Sequence, residues 1–145
     1  MALKYKSEID NFNFDIVCPH NVNNIEDDVE SYRFCFDPIT HNLNFLPNVV
    51  FDRLTNSPFN YNRAQSNTKC TRCGASYYTS LDNAKYKWDS LTEQVRENLG
   101  YTHIASGILD SSDGLVSAPN DDGHFNLYEN DTANLVEKFE IVFAL

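Results

Sequence analysis

Two cysteines near the middle of the chain form the sharpest local pattern for chemistry. Lys69-Cys70-Thr71-Arg72-Cys73-Gly74 places two thiols three residues apart with a glycine behind them. Such a pair on a tight turn can supply two of the four ligands that a tetrahedral Zn²⁺ requires. Cys18 with His20, or Cys18 with Cys35, would complete the set. The pattern predicts a structural zinc site, and the alternatives are ordinary packed cysteines or a redox-active dithiol.

A second constellation consists of an arginine, a serine and an acid from three separated segments. Arg33 lies in Tyr32-Arg33-Phe34, Ser76 lies in Ala75-Ser76-Tyr77-Tyr78-Thr79-Ser80, and Glu129 follows His124-Phe125-Asn126-Leu127-Tyr128. This order resembles that of ADP-ribosyltransferase-like folds. In that family an arginine on an early strand holds NAD, a serine-bearing strand supports it, and a late glutamate positions the acceptor or activates the ribose. The family's Glu-x-Glu or Gln-x-Glu element is absent here.

The resemblance implies an NAD-using transferase whose site comprises Arg33, Ser76 and Glu129. The alternative interpretation is that Arg33 is a solvated strand charge, Ser76 a strand hydroxyl and Glu129 a turn acid. His124 is a further catalytic candidate, because a histidine close to a carboxylate such as Asp121 or Asp122 is a typical general acid or base. A turn histidine that is exposed or held by a structural hydrogen bond is the alternative for this residue.

The charge balance argues against two classes of partner. Twenty-one acidic and eleven basic residues give a net charge of −10, and such a field repels phosphate backbones and anionic lipid headgroups. Nucleic acids and membranes are therefore excluded as expected partners, whereas a protein with a basic surface is favoured. Size, charge and the lack of a strong catalytic motif predict a small acidic protein-binding domain of the inhibitor, immunity or antitoxin type. A zinc-stabilised interaction module and the NAD-using transferase are the alternatives.

The N-terminal segment predicts the compartment. Met1-Ala2-Leu3-Lys4-Tyr5-Lys6 has no apolar stretch behind its lysines, and no window of the chain reaches the length of a transmembrane helix. We therefore expect a cytoplasmic protein whose four cysteines stay reduced as thiols or metal ligands.

The first half of the chain is irregular. Residues 29–36 end in alternating aromatic residues and predict a strand, with residues 42–46 as its hairpin partner. Residues 48–54 predict either a strand or a helical turn. The asparagine-rich stretch 56–68 predicts a long loop.

The second half is periodic. After a short strand over 74–79, Ser80 is placed as a helix N-cap, and apolar residues spaced by three or four predict one main helix over about 81–99. A Ser90–Glu93 capping box indicates a break near Asp89, and Gly100 is expected to end the helix. Three strands follow, over 102–109, 124–128 and 138–143. The whole predicts a single α+β domain over 1–145, with a mostly antiparallel sheet packed on that helix.

Overall fold

A seven-stranded antiparallel sheet forms the centre of the fold in the computed structural model, which describes residues 2–145. The predicted α+β class is confirmed. The described helices are α1 Lys6–Asp10, α2 Asn48–Leu54, α3 Ser66–Arg72, α4 Leu81–Ser90, α5 Glu93–Leu99 and α6 Leu135–Lys138. The strands are β1 Val22–Asn24, β2 Val29–Cys35, β3 Ala75–Tyr78, β4 His103–Leu109, β5 Gly114–Ser117, β6 His124–Glu129 and β7 Phe139–Ala144.

The strand order is β1-β5-β6-β3-β2-β4-β7, so β2 and β3 lie in the interior of the sheet. β2 pairs with β4 along its whole length, from Val29↔Leu109 to Cys35↔His103. Its pairing with β3 consists of one register pair, Tyr32↔Tyr78. The sheet therefore opens between β2 and β3 directly beyond Tyr32, which leaves room for side chains between the two strands.

The two faces of the sheet are covered differently. On one face, alternate strand residues form the main core with loop residues and α6; its fully buried members include Tyr77, Leu109 and Leu127. Burying side chains of this size contributes about 1.5–3 kcal/mol each to folding. On the opposite face, α4 packs against Tyr78 and its neighbours, while α2 and α3 pack against Tyr128. The helices on this face thus form two groups, one at each end of β3 and β6.

The predicted main helix over 81–99 is interrupted, as the capping box indicated, so that two helices occupy this segment. Ser80 caps α4 as predicted, and its hydroxyl accepts a hydrogen bond from the Asn83 amide. Leu91 then adopts an extended conformation, and Thr92 caps α5 by accepting from the Val95 amide. The break therefore lies at Leu91 rather than near Asp89, with Thr92 in the role predicted for Ser90. Gly100 ends α5 in the left-handed conformation, as predicted.

The predicted hairpin partner of β2 at residues 42–46 is wrong. This segment forms turns. The Asn44 side chain makes the hydrogen bonds to the backbone of Phe36 that a partner strand would make. Its amide oxygen accepts from the Phe36 backbone N–H at 2.8 Å, and its amide nitrogen donates to the Phe36 carbonyl at 2.9 Å. One buried asparagine thus satisfies backbone groups that a paired strand would have satisfied.

The remaining elements refine the predictions. Residues 48–54 form a helix, and the predicted loop over 56–68 gives way to α3 at Ser66. Four strands rather than three follow Gly100, because the short β5 pairs between β1 and β6. Within residues 2–145, no helix combines the length and apolar character needed to cross a membrane.

Candidate functional site

A cleft lies over the opening between β2 and β3, between the two groups of helices. We call it the Arg33 cleft, and its volume is about 220 Å³. Its floor is formed by β2 and β3, and its walls come from α2, α3, α4 and α5, together with Leu91 between α4 and α5 and Tyr101 between α5 and β4. The lining residues are Arg33, Phe34, Asn48, Phe51, Asp52, Arg72, Ser76, Tyr78, Lys87, Leu91, Leu99 and Tyr101.

Arg33 is the most unusual member of the cleft, because its side chain is only 3% exposed. Its Nε lies 3.4 Å from the Phe34 carbonyl oxygen, and its Nη1 lies 3.4 Å from the Tyr77 hydroxyl. A hydrogen bond also links it to Tyr101. Both of these 3.4 Å distances are longer than the usual range for such bonds. No ion pair joins this guanidinium to a carboxylate of the described chain, although buried charges in proteins are normally paired.

Arg72, unlike Arg33, forms an ion pair with a carboxylate. Its Nε lies 3.1 Å from Asp52 Oδ2 and 3.1 Å from the Tyr61 hydroxyl, and its guanidinium also stacks over Phe59. Asp52 is 7% exposed, so this ion pair is largely shielded from water. The carboxylate of Asp52 therefore compensates Arg72. Arg33 and the exposed Lys87 are the cations of the cleft that form no ion pair with a described carboxylate, although the charge of the buried Glu129 carboxylate interacts with Arg33 at longer range.

Ser76 and His124 meet beside the Arg33 cleft. Ser76 Oγ lies 3.1 Å from His124 Nε2 and 3.3 Å from Asn48 Nδ2. Burial lowers the pKa of His124, and the nearby charge of Lys87 lowers it further, which favours the neutral imidazole. Because Asn48 can only donate through this nitrogen, Ser76 accepts from Asn48 and is free to donate its own proton to a neutral His124. His124 thus contacts the Ser76 hydroxyl, and the charge of the predicted neighbour Asp122 partly opposes the lowering of its pKa.

Glu129 does not reach the cleft. It ends β6 on the core face, where it is 6% exposed and lies 3.2 Å from Lys4 Nζ. It lines a small enclosed cavity of about 10 Å³ with Leu3, Tyr5 and others. Burial raises the pKa of Glu129, which Lys4 only partly opposes. Of the three residues in the ADP-ribosyltransferase-like order, Arg33 and Ser76 both line the cleft, whereas Glu129 does not line it and interacts with Arg33 only through its charge.

The expectation of four reduced cysteines is wrong, because Cys18 and Cys70 form a disulfide with their Cα atoms 5.7 Å apart. Bonded sulfurs offer no thiolate to a metal. Cys73 at the end of α3 and Cys35 on β2 are free and buried, and burial raises their pKa values to about 12 and about 11. His20 is exposed. Within residues 2–145, no group of three or more His, Cys, Asp or Glu side chains is placed to hold a metal ion.

Sequence reasoning missed several members of the site. Asp52, Arg72 and Tyr101 reach the cleft from three separate elements, and no local motif connects them. Asn126 was missed for another reason: it lies inside β6, where alternation marks it only as facing the side opposite Phe125. The one available signal was Arg33 itself, a charge between the aromatic residues Tyr32 and Phe34 of a strand. Comparison of the chain with protein families, with curated proteins and with solved structures finds no match.

Proposed function

We propose that this protein binds a small anionic ligand of the nucleotide class in the Arg33 cleft, with NAD as the candidate that the sequence order suggests. The observation that carries the proposal is the burial of Arg33 without an ion pair to any described carboxylate. A buried guanidinium that lacks an anion is costly to fold, since its desolvation is only partly offset by neutral oxygens. An anionic ligand group would supply the missing charge through two parallel hydrogen bonds.

The other lining residues fit the remainder of a nucleotide. Aromatic rings line the cleft: Tyr101 stacks on Phe51 at 5.2 Å, and Phe34 lies 5.8 Å from Tyr101. Aromatic surfaces accept planar rings, and cations accept phosphates. Lys87 at the rim provides a second cation for a ligand with more than one phosphate. This local cationic character contrasts with the net charge of −10 of the whole chain.

The available space also suits this class. The Arg33 cleft of about 220 Å³ adjoins a second pocket of about 330 Å³, with which it shares Asn48, Arg72 and Ser76. Together they reach the size range of pockets that hold drug-sized ligands, roughly 300–1,000 Å³. A ligand with a charged centre and a ring at one or both ends would occupy both parts.

Calorimetry with NAD, ADP-ribose, AMP, inorganic pyrophosphate and adenosine tests the proposal. We expect the phosphate-bearing ligands to bind at least about tenfold more tightly than adenosine, because a charge-assisted hydrogen bond contributes about 1.5–3 kcal/mol. Arg33→Met should abolish this difference. Arg63→Met, which changes an exposed arginine, is the matched control and should leave it intact. Equal binding of adenosine and AMP would contradict the proposal.

Release of nicotinamide from NAD is a separate measurement. If the parent protein releases nicotinamide and Arg33→Met does not, the proposal extends from binding of NAD to its transfer or hydrolysis. Binding of NAD without release would restrict it to binding. Because Glu129 lies outside the cleft, Glu129→Gln should leave either result unchanged.

The overall charge favours a second candidate, the occupation of a protein partner with a basic surface. A net charge of −10 on 145 residues promotes association with cationic surfaces. Affinity capture from an extract should then return a basic protein that dissociates at about 0.5 M salt, where charges on exposed surfaces are strongly screened. Capture that does not depend on salt would contradict this candidate, as would the recovery of no partner.

A further inference from the structure

We propose that the second pocket recognises the neutral end of the ligand, and that Asn126 pairs there with a planar edge carrying an N–H donor beside an acceptor. This inference rests on the proposed function and identifies the chemical class of its ligand. We call this space the Asn126 pocket. Its lining residues are Asn48, Asn67, Thr68, Thr71, Arg72, Ser76, His124 and Asn126.

The chemistry of the Asn126 pocket differs from that of the Arg33 cleft. Its lining consists of amides, hydroxyls and an imidazole, together with Arg72, whose charge is already compensated by Asp52. Burial favours the neutral form of the His124 imidazole by lowering its pKa. The pocket therefore offers directional hydrogen bonds without an uncompensated charge. A neutral polar group fits this lining, while a phosphate fits Arg33 better.

Asn126 has hydrogen-bonding capacity that the protein leaves unused. The residue is 8% exposed, and no hydrogen bond within residues 2–145 reaches its buried Oδ1. An unsatisfied buried acceptor of this kind destabilises the folded protein, because it loses its hydrogen bond to water and gains none in return. A half-turn about χ2 exchanges Oδ1 and Nδ2, so the amide can present either its acceptor or its donor to the pocket.

The backbone around Asn126 is held firmly while its amide is not. Asn126 pairs with Ser76 across β3 and β6, and its backbone N–H donates to Ser117 Oγ at 2.9 Å. The neighbouring Ser76 is itself fixed between Asn48 and His124. The backbone of Asn126 is thus fixed in the sheet while its Oδ1 has no hydrogen bond, an arrangement suited to the recognition of a ligand.

Two parts of a dinucleotide such as NAD carry the complementary edge. Adenine presents its N6 amino group beside N7, the pair that asparagine recognises in nucleic acids. The carboxamide of nicotinamide likewise presents an N–H beside an oxygen. Both edges match one asparagine amide with two hydrogen bonds. We therefore assign to the ligand an edge with an N–H donor beside an acceptor. Experiment decides whether adenine or nicotinamide supplies that edge.

Calorimetry with two pairs of mononucleotides makes that decision. AMP is compared with IMP, which lacks the amino group, and nicotinamide mononucleotide with nicotinic acid mononucleotide, which lacks the amide N–H. We expect the parent to prefer the first member of one pair by about tenfold, the effect of one hydrogen bond with its desolvated partner. The pair that shows the preference identifies the source of the edge. Equal affinity within both pairs would overturn the inference.

Asn126→Leu should reduce the preference to less than about twofold, because leucine has a similar volume and no hydrogen bond to offer. Asn62→Leu, at an exposed position, is the matched control and should retain it. Persistence of the preference in Asn126→Leu would overturn the role of this residue. Inorganic pyrophosphate separates the two claims: if it binds the parent but no base preference exists, only this inference fails. If no phosphate-bearing ligand binds, the proposed function fails with it.

Discussion

Nη1 of Arg33 lies 3.4 Å from the hydroxyl of Tyr77, so a buried cation is held at long range by a neutral phenol. Burial raises the pKa of Tyr77 to about 12, although Arg33 opposes this shift, and the phenol carries no charge at neutral pH. The guanidinium also lies 5.0 Å from the centre of the Tyr77 ring. Such cation–π contacts contribute about 0.5–2 kcal/mol, which is less than burial of a charge costs. The cation–π contact with Tyr77 therefore offsets only part of the free energy that burial of Arg33 costs.

The Cys18–Cys70 disulfide should contribute strongly to stability. It closes a sequence separation of 52 residues, for which loss of chain entropy in the unfolded state predicts about 4 kcal/mol. Cys18→Ala should therefore lower the free energy of unfolding in urea by a few kcal/mol. Alkylation of the unfolded parent without reductant, followed by mass spectrometry, should modify Cys35 and Cys73 alone. Modification of four cysteines, together with an unchanged free energy of unfolding in Cys18→Ala, would contradict this pairing.

Glu129 should make stability depend on pH in a specific direction. Burial raises its pKa in the folded state, so the folded protein favours the protonated carboxyl. The stability that this group contributes is complete below its unfolded pKa and is lost as the pH rises through its folded pKa. Glu129→Gln removes this loss. In urea unfolding, the variant should gain stability relative to the parent between about pH 5 and about pH 8.

Glu137→Gln, at an exposed position, is the control for Glu129→Gln. It should show no comparable change relative to the parent over the same range. A Glu129→Gln variant that becomes less stable relative to the parent as the pH rises would mean that the Lys4 ion pair outweighs the burial of the carboxylate.

His124 should have a pH effect of the opposite sign. Burial and Lys87 lower its pKa in the folded state, so the unfolded chain binds a proton first as the pH falls. Its contribution to stability is complete above its unfolded pKa of about 6.5 and is lost as the pH falls through the folded value. His124→Gln should lose less stability than the parent on acidification. His20→Gln, at an exposed position, should follow the parent, and equal losses in His124→Gln and the parent would contradict a buried neutral imidazole.

Local patterns predicted the parts of the fold that depend on neighbouring residues. The β2 alternation, the Ser80 cap and the Gly100 helix end were all read from residues within a few positions. The helix break was predicted one or two residues early, because Ser90 and Thr92 are both good caps and packing decides between them. The hairpin prediction was wrong because the Asn44 side chain, rather than a second strand, forms hydrogen bonds with the backbone at the end of β2.

The candidate site was only partly predictable. Arg33, Ser76 and His124 were identified as residues capable of chemistry, but their proximity depends on the single Tyr32↔Tyr78 pair and on the register of β3 with β6. The Cys18–Cys70 disulfide depends on chain folding across 52 positions. Such long-range pairings leave no local pattern in one sequence. Glu129 illustrates the converse, because its place in the chain order matched the family's order, yet its side chain lies beside Lys4 and does not line the cleft.

The paired effects of Arg33→Met on stability and on ligand binding test the central claim most directly. Methionine has a similar length and no charge to bury, so urea unfolding should give a free energy equal to that of the parent or higher by about 1–3 kcal/mol. In the same variant, calorimetry should show that affinity for ADP-ribose or pyrophosphate falls at least about tenfold. A variant that loses several kcal/mol of stability but binds these ligands as the parent does would contradict the claim that Arg33 is buried for an anionic ligand.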